Sequence, residues 1–514
     1  MKGSEKNSAP HALVIGSGFG GLASALRLRA KGYQVTVLER LAAAGGRAQV
    51  FEKGGFRHDA GPTVITAPFL FDELFELFGE SREHHVDFTP VDPWYRFHFE
   101  DGEEFDYGED LKKLKQEISR FSEEDADRYE ELIAASKEIF DVGFTRLSDK
   151  PFLHLSDMVR QIPQLLKLRA DRSVWNFVGR FLKHPKIRRA FSIHPLLVGG
   201  NPFTTSSIYA LIHYLEREWG VHFTMGGTGK LVEELVRLGE RNQIDFRYEA
   251  DVETLLTEGR RATGVRLTNG EEISADLVVA NCDPPVFYKE IMPRHFKAPL
   301  RLQHDALVQY SMGLYVLYFG TTKKYDDVAH HTIWMGERFK GLLAEIFAED
   351  KLPPDFSLYV HRPTATDPSF APEGCDSFYV LCPVPNLRAK NVDWSIEGKN
   401  LRDRIVASLS ETLLPDLENT IVEDFWMTPK EFKKDYRSAH GAGFSIAPVL
   451  SQSASFRYPN RDAHVDNLFF VGAGTHPGAG LPGVVSSAKV VDSMVPSAVV
   501  PSAAAPSATK KIHV

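Results

Sequence analysis

Two glycine-rich turns stand near the two ends of this 514-residue chain. Gly16-Ser17-Gly18-Phe19-Gly20-Gly21 follows the apolar run Ala12-Leu13-Val14-Ile15. Gly472-Ala473-Gly474-Thr475-His476-Pro477-Gly478-Ala479-Gly480-Leu481-Pro482-Gly483 follows Leu468-Phe469-Phe470-Val471. Each reads as a buried strand, a tight turn and a helix N-terminus. Bare backbone amides meet the positive end of a helix dipole there, and the pair can hold phosphate or a ring oxygen. Two such turns at opposite ends imply that the chain ends meet on one large dinucleotide.

The context of the first turn supports this. Gly16 allows the turn, Gly18 lets backbone approach a pyrophosphate, and Gly21 brings helix and strand together. A helix is predicted from Gly20 to Ala30, with Leu22, Leu26 and Ala30 at helical spacing and a stop at Gly32. The next strand, Gln34 to Leu38, ends in Glu39, which can accept both ribose hydroxyls of an adenosine and disfavours a phosphorylated ribose.

Gly45-Gly46-Arg47 and Asp59-Ala60-Gly61-Pro62-Thr63 come next. With these segments the chain resembles the flavin amine oxidase and carotenoid desaturase superfamily. Phe56, Val64-Ile65-Thr66, Leu196-Leu197-Val198-Gly199-Gly200-Asn201-Pro202-Phe203, Ala329-His330-His331-Thr332 and the C-terminal glycine motif are similar to bacterial-type phytoene desaturases. The resemblance runs over residues 11–494. Many superfamily members carry an acidic residue after the glycine of the last motif. Here Thr475 follows Gly474, as in desaturases of this type.

The resemblance implies FAD as cofactor and an α/β fold. A Rossmann-like FAD-binding domain is expected from 11–66, 225–305 and 455–494, and an α+β substrate domain from 67–224 and 306–454. It implies cofactor contacts at Gly16, Gly18, Phe19, Gly20, Gly21, Glu39, Arg40, Gly46, Arg47, Pro62, Thr63, Val252, Gly472, Gly474, Gly483 and Val484. Arg47 would meet pyrophosphate, and the backbone of Val252 would meet adenine. The implied reaction introduces several C=C bonds into phytoene, a C40 polyene drawn from the bilayer, to give neurosporene or lycopene. Oxygen or a quinone would take the electrons. Asp157 and Arg160 match residues placed near the isoalloxazine in the family. They either assist there or simply pair as i, i+3 neighbours, and no obligatory acid or base is expected. Two alternatives stay open. One is a desaturase of C30 or hydroxylated carotenoids. The other is a non-enzymatic prenyl-lipid carrier of the same architecture, against which Glu39, Gly46, Arg47 and the C-terminal motif count.

Composition narrows the partners. A net charge of −9 argues against nucleic acid. Three cysteines without zinc-ligand spacing give no disulfide framework and no expected metal. No run of 18 apolar residues predicts a membrane-crossing helix, and Met1 to Pro10 is too short and polar for a signal peptide.

The middle of the chain is organised around these motifs. Residues 67–224 read as mostly helical. Thr263 to Leu267 with Asn269-Gly270 reads as a hairpin, and Leu314 to Phe319 as an apolar strand flooring a substrate cavity. Gly226-Gly227-Thr228-Gly229-Lys230 lacks the spacing of a phosphate-binding P-loop and reads as a helix start. The Ala/Ser/Pro-rich stretch 495–514 reads as a disordered tail.

Residues 151–190 hold nine Lys or Arg against two Asp. Val174, Phe177, Val178, Phe181 and Leu182 share one helical face, with Arg172, Arg180 and Lys183 opposite. The pattern fits an ordinary helix with its apolar face on the core or a basic amphipathic helix lying in a membrane interface, and the insoluble C40 substrate that the resemblance implies favours the interface. It would place the enzyme peripherally on the cytoplasmic side of the cell membrane.

Overall fold

The computed structural model describes residues 9–152, 160–161, 163–164, 167–296 and 305–498. Five parallel strands form its first sheet: β1 (His11–Ile15), β2 (Gln34–Leu38), β3 (Asp245–Arg247), β4 (Leu277–Ala280) and β5 (Leu468–Phe470). Their spatial order is β5-β4-β1-β2-β3, with Ala12 opposite Leu277 and His11 opposite Gln34. This is the doubly wound order, with its switch point beside β1. β1 and β4 are buried on both faces, which is why they read as unbroken apolar runs.

Helix α1 (Phe19–Ala30) leaves the first turn one residue earlier than the spacing predicts. Two further helices, α2 (Leu211–Trp219) and α3 (Thr228–Arg241), pack nearby, α3 starting at the rejected P-loop segment. The last helix, α4 (Leu481–Met494), lies against α1. Past its end, Ala498 N donates to Lys31 O at 2.9 Å and Tyr33 OH donates to Pro496 O at 3.1 Å.

A second, seven-stranded sheet carries the strand Gly313–Thr321 inside it, buried at all nine positions. Its residues alternate between faces. Tyr315, Leu317 and Phe319 pack with the helix Trp394–Glu411, while Leu314 and Val316 line the cavity described below. Tyr95–His98 and Glu104–Tyr107 extend this sheet from within 67–224, so that region is not helical throughout. The hairpin at 263–267 is present, with Asn269-Gly270 between Arg261–Leu267 and Glu272–Ser274.

The amphipathic helix requires correction. Between Arg172 and Lys183, the stretch that carries the apolar stripe, only Val174–Val178 is helical, the chain turns at Gly179, and a separate helix follows at Pro185–Ala190. Val174, Phe177, Val178, Phe181 and Leu182 are all buried, in a core with Phe105, Tyr129 and Phe191. Lys186 pairs with Asp101 and Glu103, and Arg189 with Glu100 at 2.9 Å. The apolar stripe faces protein, and two of the nine basic residues are held by an acidic turn. A core helix and an interfacial one share the same periodicity, so sequence spacing does not separate them.

Candidate active site

Gly16 takes φ +92°, a value that disfavours a side chain, and its N–H bonds Leu38 O at 2.8 Å. This ties the turn to the end of β2. Gly45 N donates to Ser17 O at 3.1 Å, drawing a second glycine pair over the first. A Cβ added at Gly46 would stand 3.8 Å from the Gly18 Cα, so the two backbones face each other across a narrow slot. The C-terminal turn reaches the same place. A Cβ at Gly20 would meet the Asn281 side-chain amide at 2.6 Å and Gly472 N at 3.2 Å. Asn281 follows β4 and, with its oxygen toward the turn, accepts from Gly18 N and Gly21 N at 3.3 Å each.

Glu39 is buried at the end of β2. Its Oε2 accepts from Ser17 N at 2.9 Å and Ser17 Oγ at 2.7 Å, and its Oε1 from Leu41 N at 2.9 Å. The carboxylate is thereby fixed at the cavity edge with one acceptor site, on Oε1, to spare. Arg40 donates to the carbonyls of Lys434 and Asp435 at 3.0 and 2.6 Å.

Arg47 is the informative cation. One arm donates to Ser438 Oγ at 2.6 Å, and its buried Nε has no partner. Burial pulls its pKa down, while Asp283 opposes that shift. Asp283 accepts from Ala439 N at 2.9 Å and Ser445 Oγ at 2.5 Å, and burial raises its pKa. A buried, half-satisfied guanidinium beside a glycine slot fits a pyrophosphate, which would supply the missing acceptor.

Except for Gly20 and Gly21, every residue expected at the cofactor lines one cavity. These two sit beneath it, where they let α1 approach the strands. Val252 is at the start of Val252–Glu258, and Gly480 caps α4 just before Gly483 and Val484. Asp157 lies outside the described residues. Arg160 is exposed and does not line the cavity.

Beyond Pro62 and Thr63 the same cavity runs between apolar walls that include Ile193, Leu196, Met312, Leu314, Met335 and Phe339. A polar exception stands in it. Glu216, on α2, accepts from Tyr95 OH at 2.9 Å and bonds His194 Nε2 at 2.8 Å, fully buried. Asn281, Asp283, Glu216 and Arg457 also carry this site, although the sequence motifs do not point to them. Arg457 donates to Ala473 O at 2.6 Å, holding the C-terminal turn. The signal available for Asn281 and Asp283 is their place at the carboxyl end of a buried strand, where open α/β sheets bind ligands.

Cys282 lines the cavity, but burial pushes its thiol up to about 12. A thiol so high is a weak nucleophile.

Residues 19–491 match the family model described as flavin containing amine oxidoreductase. A lycopene-forming phytoene desaturase of Pantoea ananas is 45% identical over 94% of this chain and 98% of its own length. A neurosporene-forming phytoene desaturase of Rhodobacter capsulatus is 41% identical over 94% of each chain. Among solved structures, an oxidoreductase from Methanosarcina mazei aligns with a TM-score of 0.63 at 17% identity, over 94% of this chain and 99% of that one. The structural likeness concerns the fold alone. The chain belongs to the flavin containing amine oxidoreductases, in the branch that holds the phytoene desaturases. Its cofactor is FAD.

Proposed function

We propose that this chain is an FAD-dependent oxidoreductase acting on CH–CH groups, a phytoene desaturase of carotenoid biosynthesis whose product is neurosporene or lycopene. The observation that carries this reading is one continuous cavity, polar and glycine-lined at one end and apolar at the other. When bound, FAD supplies the hydride acceptor that no side chain can provide.

The chain's own residues then have distinct tasks. Gly16, Gly18 and Gly46 bring backbone close to the pyrophosphate, and Arg47 balances its charge. Glu39 holds the adenosine ribose, and Val252 borders the adenine. The N-terminal end of α4, at Gly483 and Val484, turns its positive dipole toward the pyrimidine end of the ring. The apolar walls keep water from an allylic cation. Asp157 and Arg160 act at most as assistants. The cofactor domain comprises 11–66, 225–305 and 455–494, and the substrate domain 67–224 and 306–454.

Phytoene is nearly insoluble in water, which supports a peripheral position on the cytoplasmic side of the membrane. No helix among the described residues is long and apolar enough to cross one. Leu307 and Leu450 are exposed, on segments joined by a hydrogen bond from Gln309 N to Gln452 Oε1 at 3.0 Å, and Leu450 lines the cavity. These exposed leucines support an entrance, and a membrane contact, beside them. Oxygen or a quinone accepts the electrons.

Expression in a phytoene-accumulating bacterium tests the reading. Coloured neurosporene or lycopene is the expected pigment. Unchanged phytoene, with a flavin-loaded protein present, would overturn it.

A further inference from the structure

A chain of polar groups leaves the cavity wall at Thr63. Thr63 Oγ1 is 2.9 Å from Tyr359 OH, and that hydroxyl is 2.7 Å from His331 Nδ1. Thr63 and Tyr359 both line the cavity. Behind them lie three buried histidines, His330, His331 and His361, with one nitrogen of each within 4.8 Å of the others. At the far side His330 Nδ1 is 2.6 Å from Thr366 Oγ1, and Thr366 is half-buried. His330 Nε2, His331 Nε2 and both nitrogens of His361 have no protein partner, nor has Asp59 Oδ2, 3.9 Å from His361 Nε2. So many orphaned polar atoms in one buried cluster require an explanation.

A metal centre would need the lone pairs to converge on one point at about 2.0–2.1 Å. The His331 and His361 rings are nearly parallel, at 22°, with centroids 5.4 Å apart. Lone pairs in parallel planes do not converge. A proton relay needs something else: neutral rings, each with one donor and one acceptor nitrogen. Burial supplies this, pushing His330 and His331 well below the ordinary histidine value.

We propose that Thr63, Tyr359, His331 and His330 form the exit path for the proton released in each desaturation, ending at Thr366. The proposal rests on the flavin placement given above. Each desaturation removes two hydrogens from neighbouring carbons. One leaves with its electron pair to the flavin, and the other leaves as a proton when the C=C bond forms. The apolar walls offer that proton little else. Thr63 takes it while passing its own to Tyr359, and Tyr359 passes one to His331 Nδ1. His331 releases the proton on Nε2 toward His330, whose ring centroid lies 4.5 Å away. His330 releases the proton on Nδ1 to Thr366 and solvent. No side chain is oxidised, and rotation of the hydroxyls and return of the tautomers reset the path. An allylic cation is so strong an acid that a hydroxyl suffices to receive its proton, which fits the lack of a required strong base.

The test uses purified holoenzyme on phytoene in liposomes. Tyr359→Phe keeps the ring and removes the hydroxyl. Thr366→Val alters only the outer end. Both should retain FAD and KM while kcat falls roughly 10–100-fold, toward the range of a lost proton transfer. His331→Ala should regain part of its rate with added imidazole. Nitrogen-15 NMR of histidine-labelled holoenzyme should show neutral rings, with Tyr359→Phe moving the His331 Nδ1 signal. Wild-type kcat in both Tyr359→Phe and Thr366→Val would overturn the path, as would one equivalent of bound zinc or iron by elemental analysis. A wild type that binds FAD yet leaves phytoene unchanged counts instead against the function proposed above.

Discussion

Gly21 packs directly on the carbonyl of Gly16. A Cβ added at Gly21 would overlap that oxygen, and the Asn281 side-chain amide would stand 3.2 Å away. The neighbour is backbone, which cannot rotate aside. Gly21→Ala should therefore cost at least about 1–3 kcal/mol and lower the flavin content of the purified protein. Thermal denaturation and the flavin absorbance of the preparation check both. An unaltered melting temperature would show that the turn can relax.

Glu39 serves three donors at once, from Ser17 and Leu41. Glu39→Arg removes that acceptor and places a cation at the ribose. The expected outcome is protein without flavin. Full flavin occupancy in the variant would mean that another group holds the ribose.

Phe177 lies in the core at 3% exposure, against Phe181 at 5.5 Å between ring centroids. Phe177→Ala should cost roughly 3–5 kcal/mol by deletion of a buried ring. A membrane-inserted Phe177 would behave differently. Its removal would leave stability in solution intact and weaken only liposome binding. Denaturant unfolding and liposome sedimentation, run together, separate the two outcomes.

Stability should fall on acidification. Burial holds His361 at about 3 and His476 at about 4, below the ordinary 6.5. Below pH 6.5 the unfolded chain protonates these rings and the folded chain does not. Their contribution is therefore lost as pH drops from 6.5 toward 4, at up to about 1.4 kcal/mol per unit for each ring. Asp59 works the other way. Burial raises it from 3.8 to about 7, so the folded state keeps a proton that the unfolded chain has released. Its contribution is full below 3.8 and lost as pH climbs through 7. Melting curves at mildly acidic, neutral and mildly alkaline pH should show the net acid loss, and Asp59→Asn should stabilise more on the alkaline side than on the acidic one. A gain independent of pH would contradict the Asp59 assignment.

Arg160 is exposed and outside the cavity lining. Arg160→Gln, and Asp157→Asn beside it, should lower turnover by about tenfold or less with flavin retained. A loss of roughly 10²–10⁴ would mark an obligatory proton transfer. Steady-state kinetics on liposome-embedded phytoene decides.

The parallel sheet is legible in the sequence because its central strands are buried on both faces and end in glycine turns. Polar loops do not contain such unbroken apolar runs, so Ala12 to Ile15, Leu277 to Ala280 and Leu468 to Val471 stand out. The strands Tyr95–His98 and Glu104–Tyr107 are harder to see although their aromatics alternate, because much of the surrounding region is helical. The environment of 174–182 cannot be read from its periodicity, which is silent about what covers the apolar face. Glu216 is invisible for another reason. It pairs with Tyr95 and His194, far from it in sequence, and a buried carboxylate looks like any surface glutamate until the fold surrounds it.

The interlocked chain ends bear on how the protein is made. β5 is the last strand of the parallel sheet and α4 closes over α1, so the cofactor cradle needs residues 468–494. A ribosome must translate as far as residue 494 before that cradle can exist. Until then β4 remains without its last partner strand, and a nascent chain carries an unfinished sheet edge. Flavin capture thus has to follow the synthesis of residues 468–494, however early the first glycine turn is made.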